Sequence, residues 1–433
     1  MDIKRKDALT RAEKSWITYD VASSAFTMIT SVTIPLAFGL LMTQAGLSSE
    51  AQAAAAGTFG TWGLATSISV LILAVLSPLL GTLADYEGMK KRLWLVSLLL
   101  GLAGGLCLVF VNSWVGFLAV FVATRIGYSA ANMFYDAMLT DVTTDKRMDR
   151  VSTSGYAWGY IGSCVPFIVC IVFVVLGSRL GELRAYRLGF LVTVLWWALW
   201  SIPTLKNVKQ VHFIPRGGAP LRPGQVFRQL KGTFQKICRD KALLFFILAY
   251  FFYIDGVYTI ISMAVAYGDA LHLSSISMVL ALLVTQFVAF PCAILSGRLS
   301  RRFGPRRLIR VFILMYIAIS LFGAVLTQEW QFWVLAVAVG MCQGGIQALS
   351  RSCFGQMIPK EESNEYFGFF DIFGKLADFF GPMIIFVCCL LFPRLDGAGV
   401  VIGNRVGIAA LTLLFLLGFL LLCRSDRLLK ARK

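Results

Sequence analysis

Residues 81–93 read GTLADYEGMKKRL, and residues 297–309 read GRLSRRFGPRRLI. Gly81 aligns with Gly297, Leu83 with Leu299, Gly88 with Gly304 and Lys90 with Arg306, all at one offset of 216 residues. An echo at half the length of a 433-residue chain points to a duplicated unit rather than a local motif. Each copy closes one long apolar run and opens the next. In that setting Gly81 lets neighbouring helices approach and Gly88 turns the chain, while the basic cluster faces water and anionic lipid.

The rest of the chain fits that setting. Hydrophobic residues make up 58% and charged residues 15%, with a mean hydropathy of +0.75. A soluble protein carries roughly 45–50% and about 25%. A water-soluble globule is excluded, because its surface would lack polar groups. The apolar residues fall in blocks of about 20, the length that crosses a hydrocarbon core. Hydropathy and breakers predict spans at 16–43, 54–84, 92–111, 114–140, 153–177, 186–204, 243–266, 273–299, 308–327, 331–350, 365–390 and 404–423. The expected fold is an all-α polytopic membrane protein with twelve transmembrane helices. A six-helix bundle over 1–204 is joined to a second over 243–433 by a basic linker at 205–242, the bundles related by a pseudo-two-fold axis along the membrane normal.

Charge gives the orientation. Of 40 Lys and Arg, 33 lie at the termini and in the even-numbered loops, and 5 lie on the opposite side. This predicts a multi-pass protein of the cell membrane with both termini cytoplasmic. The net charge of +17 therefore needs no nucleic-acid partner. MDIKRKDALTRAEK runs straight into the first span without a small-residue cleavage site, so no removed signal peptide is expected. In the linker, VFRQLKGTFQKICRDK places Phe227, Leu230, Phe234 and Ile237 at helical spacing with Arg228, Lys231 and Lys236 between them. Either an interfacial helix in the headgroup plane or a solvated linker helix fits. Ten Cys sit mostly inside spans without ligand spacing, and the two His are His212 and His272, so no metal centre and no cofactor are expected. No GxxxxGK[ST] phosphate cradle occurs, so ATP drive is not expected either.

Gly81-x-Leu83-Ala84-Asp85-x-x-Gly88-x-Lys90 resembles the loop signature of the major facilitator superfamily. The resemblance implies that Asp85 latches the two halves at the cytoplasmic face. This copy departs from the pattern at Tyr86 and Met89, and the second carries Arg301 at the Asp85 position, making the latch asymmetric. SWITYDVASSAF in span 1, FFYIDGVYTII in span 7, GGIQALSRS in span 10 and EYFGFFDIFGK in span 11 are similar to a narrower branch. That branch holds the autophagy-linked vacuolar amino-acid effluxers and bacterial permeases. The resemblance implies spans 1, 4, 7 and 10 lining a central cavity.

Charges within spans are the candidate site. Each costs roughly 2.5–3.5 kcal/mol at mid-bilayer and so tends to face an interior or a cavity. Arg125, Asp255 and Lys375 fall near the midplane at about 1.5 Å per residue. Asp371 and Asp378 flank Lys375 at helical spacing, which reads as a paired strip, either a site or a neutral packing device. Asp20, Tyr258 and Gln347 complete the expected substrate or ion site. Trp16, Tyr19 and Tyr253 are further candidates to line a pocket. Gly81, Asp85, Gly88, Lys90 and Gly297 are expected to gate, with Asp136 or Asp20 pairing Arg351 at the cytoplasmic mouth. Gly155, Gly159 and Gly162 are expected to permit close helix contact. Asp141, Asp145 and Asp149 read as a solvated turn rather than a metal cluster, so an enzyme is not expected.

The expected function is a secondary transporter of a small polar solute, an amino acid or other zwitterion, working by alternating access. Asp20 and Asp255 are the candidate proton carriers, with sodium coupling and uncoupled passage as the alternatives. An exporter of lipids or amphiphiles on the same fold is the competing reading. The expected partners are a small-molecule substrate and the lipid bilayer, and the expected state is a monomer.

Overall fold

The computed structural model describes residues 8–31, 33–46, 57–215, 223–271, 273–394 and 402–431. His272 and linker residues 216–222 lie outside them, as does the side chain of Asp378. Twelve described helices are long and apolar enough to cross a membrane. They are α1 Arg11–Gln44, α2 Gly57–Ala84, α3 Met89–Leu108, α4 Trp114–Ala137, α5 Asp145–Val175 and α6 Glu182–Asn207, then α7 Lys241–Ala270, α8 Ser275–Phe303, α9 Pro305–Ala324, α10 Glu329–Met357, α11 Ser363–Leu391 and α12 Ile402–Lys430. Among the described residues the only extended pairing is an isolated bridge between Tyr86 and Ile214.

Helix starts follow local chemistry. Before α1, the Thr10 N–H donates to Glu13 Oε2 at 2.7 Å and the Glu13 N–H to Thr10 Oγ1 at 3.1 Å, a reciprocal cap. Gly88 and Gly304 take φ of 71° and 84° immediately before α3 and α9, a left-handed turn that favours glycine. Several helices outrun their apolar stretch. α5 begins at Asp145 rather than 153, and α10 reaches Met357 rather than 350. Hydropathy reports the part matched to hydrocarbon, whereas backbone hydrogen bonding continues until the extended Thr144 or Ile358 stops it. Gln347 and Arg351 therefore lie inside α10, not at its end.

The chain divides into two units. The first holds Met1–Thr144, Trp158–Val226 and Pro359–Gly368; the second holds Asp145–Ala157, Phe227–Ile358 and Phe369–Lys433. The start of α5 thus belongs to the second unit and the start of α11 to the first. In the first unit α1 packs on α6, α2 on α4, and α3 on α4 and α6. In the second α7 packs on α12, α8 on α10, and α9 on α10 and α12, the same four pairings one repeat later.

Lipid is as apolar as leucine, so burial alone cannot order these helices, and shape and ring contacts matter more. In the first unit Trp16 stacks on Tyr135 at 4.4 Å and donates Nε1–H to the Tyr135 carbonyl at 2.9 Å. Tyr19 meets Trp94 edge-on at 5.4 Å. In the second unit Tyr316 stacks on Phe415 at 5.4 Å, and Phe354 on Phe370 at 4.4 Å. Each such pair contributes roughly 0.5–1.5 kcal/mol beyond area. Trp16, Tyr19 and Tyr253 are fully buried, so these three are core and not pocket lining.

The linker helix Pro223–Arg239 forms as its periodicity predicts, but its apolar stripe splits. Val226, Thr233 and Ile237 are buried, whereas Phe227 and Phe234, one position round from the first two, are exposed beside Arg228 and Lys231.

Candidate functional site

The first cluster surrounds the turn after α2. A Cβ on Gly81 would fall 2.5 Å from the Asn364 carbonyl oxygen, so only hydrogen fits where α2 meets the start of α11. That contact delivers Asp85 to the helix start. Its Oδ1 accepts the Asn364 N–H and the Asn364 side-chain amide, each at 2.8 Å, and its Oδ2 accepts the Glu365 N–H at 3.0 Å. These are first-turn amides without an intrahelical partner, at the positive end of the helix dipole. Asp85 is fully buried. Burial pushes its carboxyl up to about 7, against the opposing pull of the Lys90 charge and of the Asn364 and Glu365 donors.

Lys90 does not face water, as its place in a basic run had suggested. It is fully buried, its Nζ 2.6 Å from Asp141 Oδ2 and 3.1 Å from Ser363 Oγ. Asp141 is no solvated residue either. Its side chain is buried, and Oδ1 accepts the N–H groups of Val211 at 3.0 Å and His212 at 2.8 Å. The solvated-turn reading fails for Asp141 because the partners that bury it, Lys90, Val211 and His212, lie 51, 70 and 71 positions away in the chain.

The second unit carries the counterpart. Gly297 meets Thr153 on the start of α5, as Gly81 meets the start of α11. Arg301 replaces the acid on the turn, and the acid sits on the helix instead. Asp149 Oδ1 accepts the Ser352 hydroxyl at 2.7 Å and the Gln356 amide at 2.9 Å. Arg351, almost fully buried, donates Nε–H to Ser152 Oγ at 3.0 Å and places its guanidinium 4.5 Å from the Tyr156 ring centroid. The expected pairing of Arg351 used Asp20 or Asp136; Ser152 and Tyr156 are among its partners. Sequence reasoning missed Asp149, Ser152, Ser363 and Asn364. The signal was present, since Asp149 and Glu365 stand at the same 216-residue offset as the two turns.

Membrane-interior groups follow. In the first unit Arg125, Tyr128, Asn132 and Asp136 share one half-exposed face of α4. Tyr128 and Thr27 are hydrogen-bonded at 2.6 Å. Asp20 is 8% exposed, and a Cβ on Gly159 would crowd Ser24 and the Asp20 carbonyl, so α5 lies directly against this part of α1. In the second unit Asp255 is fully buried, and its Oδ1 accepts the Gly381 N–H at 3.0 Å, one residue before Pro382. Lys375 pairs with Asp371 four residues back, with side chains 14% and 20% exposed. Tyr258 is half-buried, and Gln347 is the one residue between Cys342 and Gly355 on α10 that is not buried. Among the described residues no group of His, Cys, Asp and Glu has the arrangement of a metal site.

Residues 140–427 match the family described as "Vacuole effluxer Atg22 like". The chain is 39% identical to the "Uncharacterized MFS-type transporter YxiO" of Bacillus subtilis (strain 168), over 95% of this chain and 94% of that one. It is 28% identical to autophagy-related protein 22-2 of Aspergillus clavatus, over 55% of this chain and 43% of that one. Its fold is similar to that of the human organic anion transporter MFSD10, with a TM-score of 0.68 at 14% identity, covering 95% of this chain and 99% of that one.

Proposed function

Because the chain belongs to the vacuole effluxer Atg22-like family of the major facilitator superfamily, we propose that it carries a small zwitterionic solute, such as an amino acid, across the cell membrane by alternating access. Secondary transport is the activity that this membership supports; the solute, the coupling and the orientation are our reading. The distribution of 33 basic residues against 5 favours both termini on the cytoplasmic side.

The observation that carries the substrate class is the Lys375–Asp371 pair on α11. Both side chains are largely withdrawn from solvent, and breaking such a pair leaves an uncompensated charge. A zwitterion offers the complementary couple, a carboxylate for Lys375 and an ammonium for Asp371. It exchanges one ion pair for two and leaves no charge alone. Asp255 on the same unit is the candidate proton carrier, a buried carboxylate whose Oδ1 accepts the Gly381 N–H. The hold of Asp85 on the start of α11 is the element that closes and releases in the cycle.

A thermal-shift screen of the detergent-purified protein, at two pH values with and without sodium, tests this reading. A solute that binds the folded state raises its melting temperature by mass action. An amino acid should stabilise the protein, and Lys375→Gln should lose that shift. Stabilisation by lysolipids alone would replace the reading with an amphiphile exporter.

A further inference from the structure

A groove of about 510 Å³ lies on the first unit, between the start of α3 and the end of α6, beside the Asp85 turn. Lys91, Arg92 and Lys209 line it, against one carboxylate, Glu87. Among the described residues none of the three cations is ion-paired. Lys91 Nζ donates to the neutral Val208 carbonyl at 2.9 Å, and Lys209 lies close enough to repel it. Like charges gathered in a cleft with so little compensation are relieved by an anion. The start of α3 adds to this, because Gly88 lines the groove and gives that helix no side-chain cap, leaving the positive end of the dipole open.

The walls say what else the ligand carries. Leu95, Leu205 and Phe213 line the groove beside the cations. Further along the same helices, Val96 and Leu99 on α3 and Leu199 and Ile202 on α6 are exposed. An apolar surface that continues from a cationic pocket suits a molecule with an anionic head and hydrocarbon tails, and not a free anion. Basic pockets between spanning helices are sites of that chemistry.

We propose that this groove binds the phosphate headgroup of an anionic phospholipid, whose acyl chains lie along α3 and α6, and that the bound head braces the turn carrying Asp85. The bracing runs through Gln210, which lines the groove and donates its side-chain amide to the carbonyls of Ala84 at 3.2 Å and Tyr86 at 3.1 Å. Both carbonyls flank Asp85. Ile214, four residues on, donates its N–H to the Asp85 carbonyl at 2.8 Å.

The test is a lipid titration of the delipidated, full-length protein in detergent, read by thermal shift. Phosphatidylglycerol and cardiolipin should raise the melting temperature, and phosphatidylcholine should not. Arg92 and Lys209 are exposed, so Arg92→Gln with Lys209→Gln leaves the fold intact and should move the half-saturation point about fivefold for each cation removed. Leu205→Trp keeps every charge but fills the groove, and it should weaken binding as well. An equal response to phosphatidylcholine, or an unmoved midpoint in the double variant, would overturn the site. An unmoved midpoint in Leu205→Trp would reduce it to diffuse surface charge. Inorganic phosphate acting at the same concentration would replace the lipid by a soluble anion.

Discussion

Replacing Asp85 by asparagine separates the charge of its contact with the start of α11 from its shape. An ordinary carboxyl in the unfolded chain ionises near pH 4, whereas Asp85 holds its proton to about 7 because burial disfavours the charged form. Between those values the folded protein binds one proton more than the unfolded chain. Its stability therefore falls as pH rises, by about 1.4 kcal/mol per unit. From pH 5 to pH 7 the wild type should lose roughly 2–3 kcal/mol from this group and then level off. The amide that replaces the carboxyl in Asp85→Asn cannot titrate, so the variant lacks that slope. It carries a fixed cost instead. The new side-chain carbonyl still accepts from Asn364, but the new amide meets the Glu365 N–H donor to donor, at about 1–3 kcal/mol for the amide left unbonded. The variant should be the less stable protein at pH 5, and the gap should narrow steadily to pH 7.5. Unfolding in one detergent at five pH values, for both proteins, reads this directly. Parallel curves would show that Asp85 does not titrate in this window. A gap that widens with pH would show that the charged form is the favoured one, and the account of burial would be wrong.

Lys90→Met should cost about 3–5 kcal/mol by stranding the buried Asp141, and adding Asp141→Asn should recover most of it. A double variant as unstable as the single would deny the pair its role. Gly81→Ala should be worse than Gly297→Ala, by roughly 1–3 kcal/mol. The first Cβ meets a backbone carbonyl that cannot yield, and the second meets the Thr153 side chain, which can turn away. Melting curves showing equal costs would mean that α2 and α8 retreat equally well. Asp255→Asn keeps an acceptor for the Gly381 N–H and removes only the charge, so transport should stop while melting stays within about 1 kcal/mol. Full transport in proteoliposomes would take Asp255 out of the mechanism.

The twelve spans were legible because hydropathy measures what a bilayer selects, a length of apolar helix. The turns were legible because Gly88 and Gly304 do something few other residues do, hold a left-handed φ. What the sequence concealed was burial. Lys90, Lys91 and Arg92 are three basic residues in a row, and nothing local separates the one inside from the two outside. The difference is Asp141, 51 positions later. The partners of Asp85 were hidden for the same reason. They are mainly backbone amides, and a backbone amide has no letter. Trp16 and Tyr19 failed differently: an aromatic near a cavity and an aromatic in a core have the same composition, and only packing tells them apart.

The Asp85 contact also has a place in time. Its partners lie 279 and 280 residues further along the chain. A ribosome adding about 5–20 residues per second needs roughly 15–55 s to cover that stretch. Lys90 and Asp141 meet early, within the first third of synthesis, but Asp85 enters the membrane with its oxygens unmatched and waits for α11. Until α11 arrives the carboxyl lacks the burial that raises it, so it stays charged and hydrated, and the bare turn marks the half-made protein as unfinished. The first six helices expressed alone should then be inserted but tended by the cell's quality control, and supplying residues 205–433 as a second chain should release them.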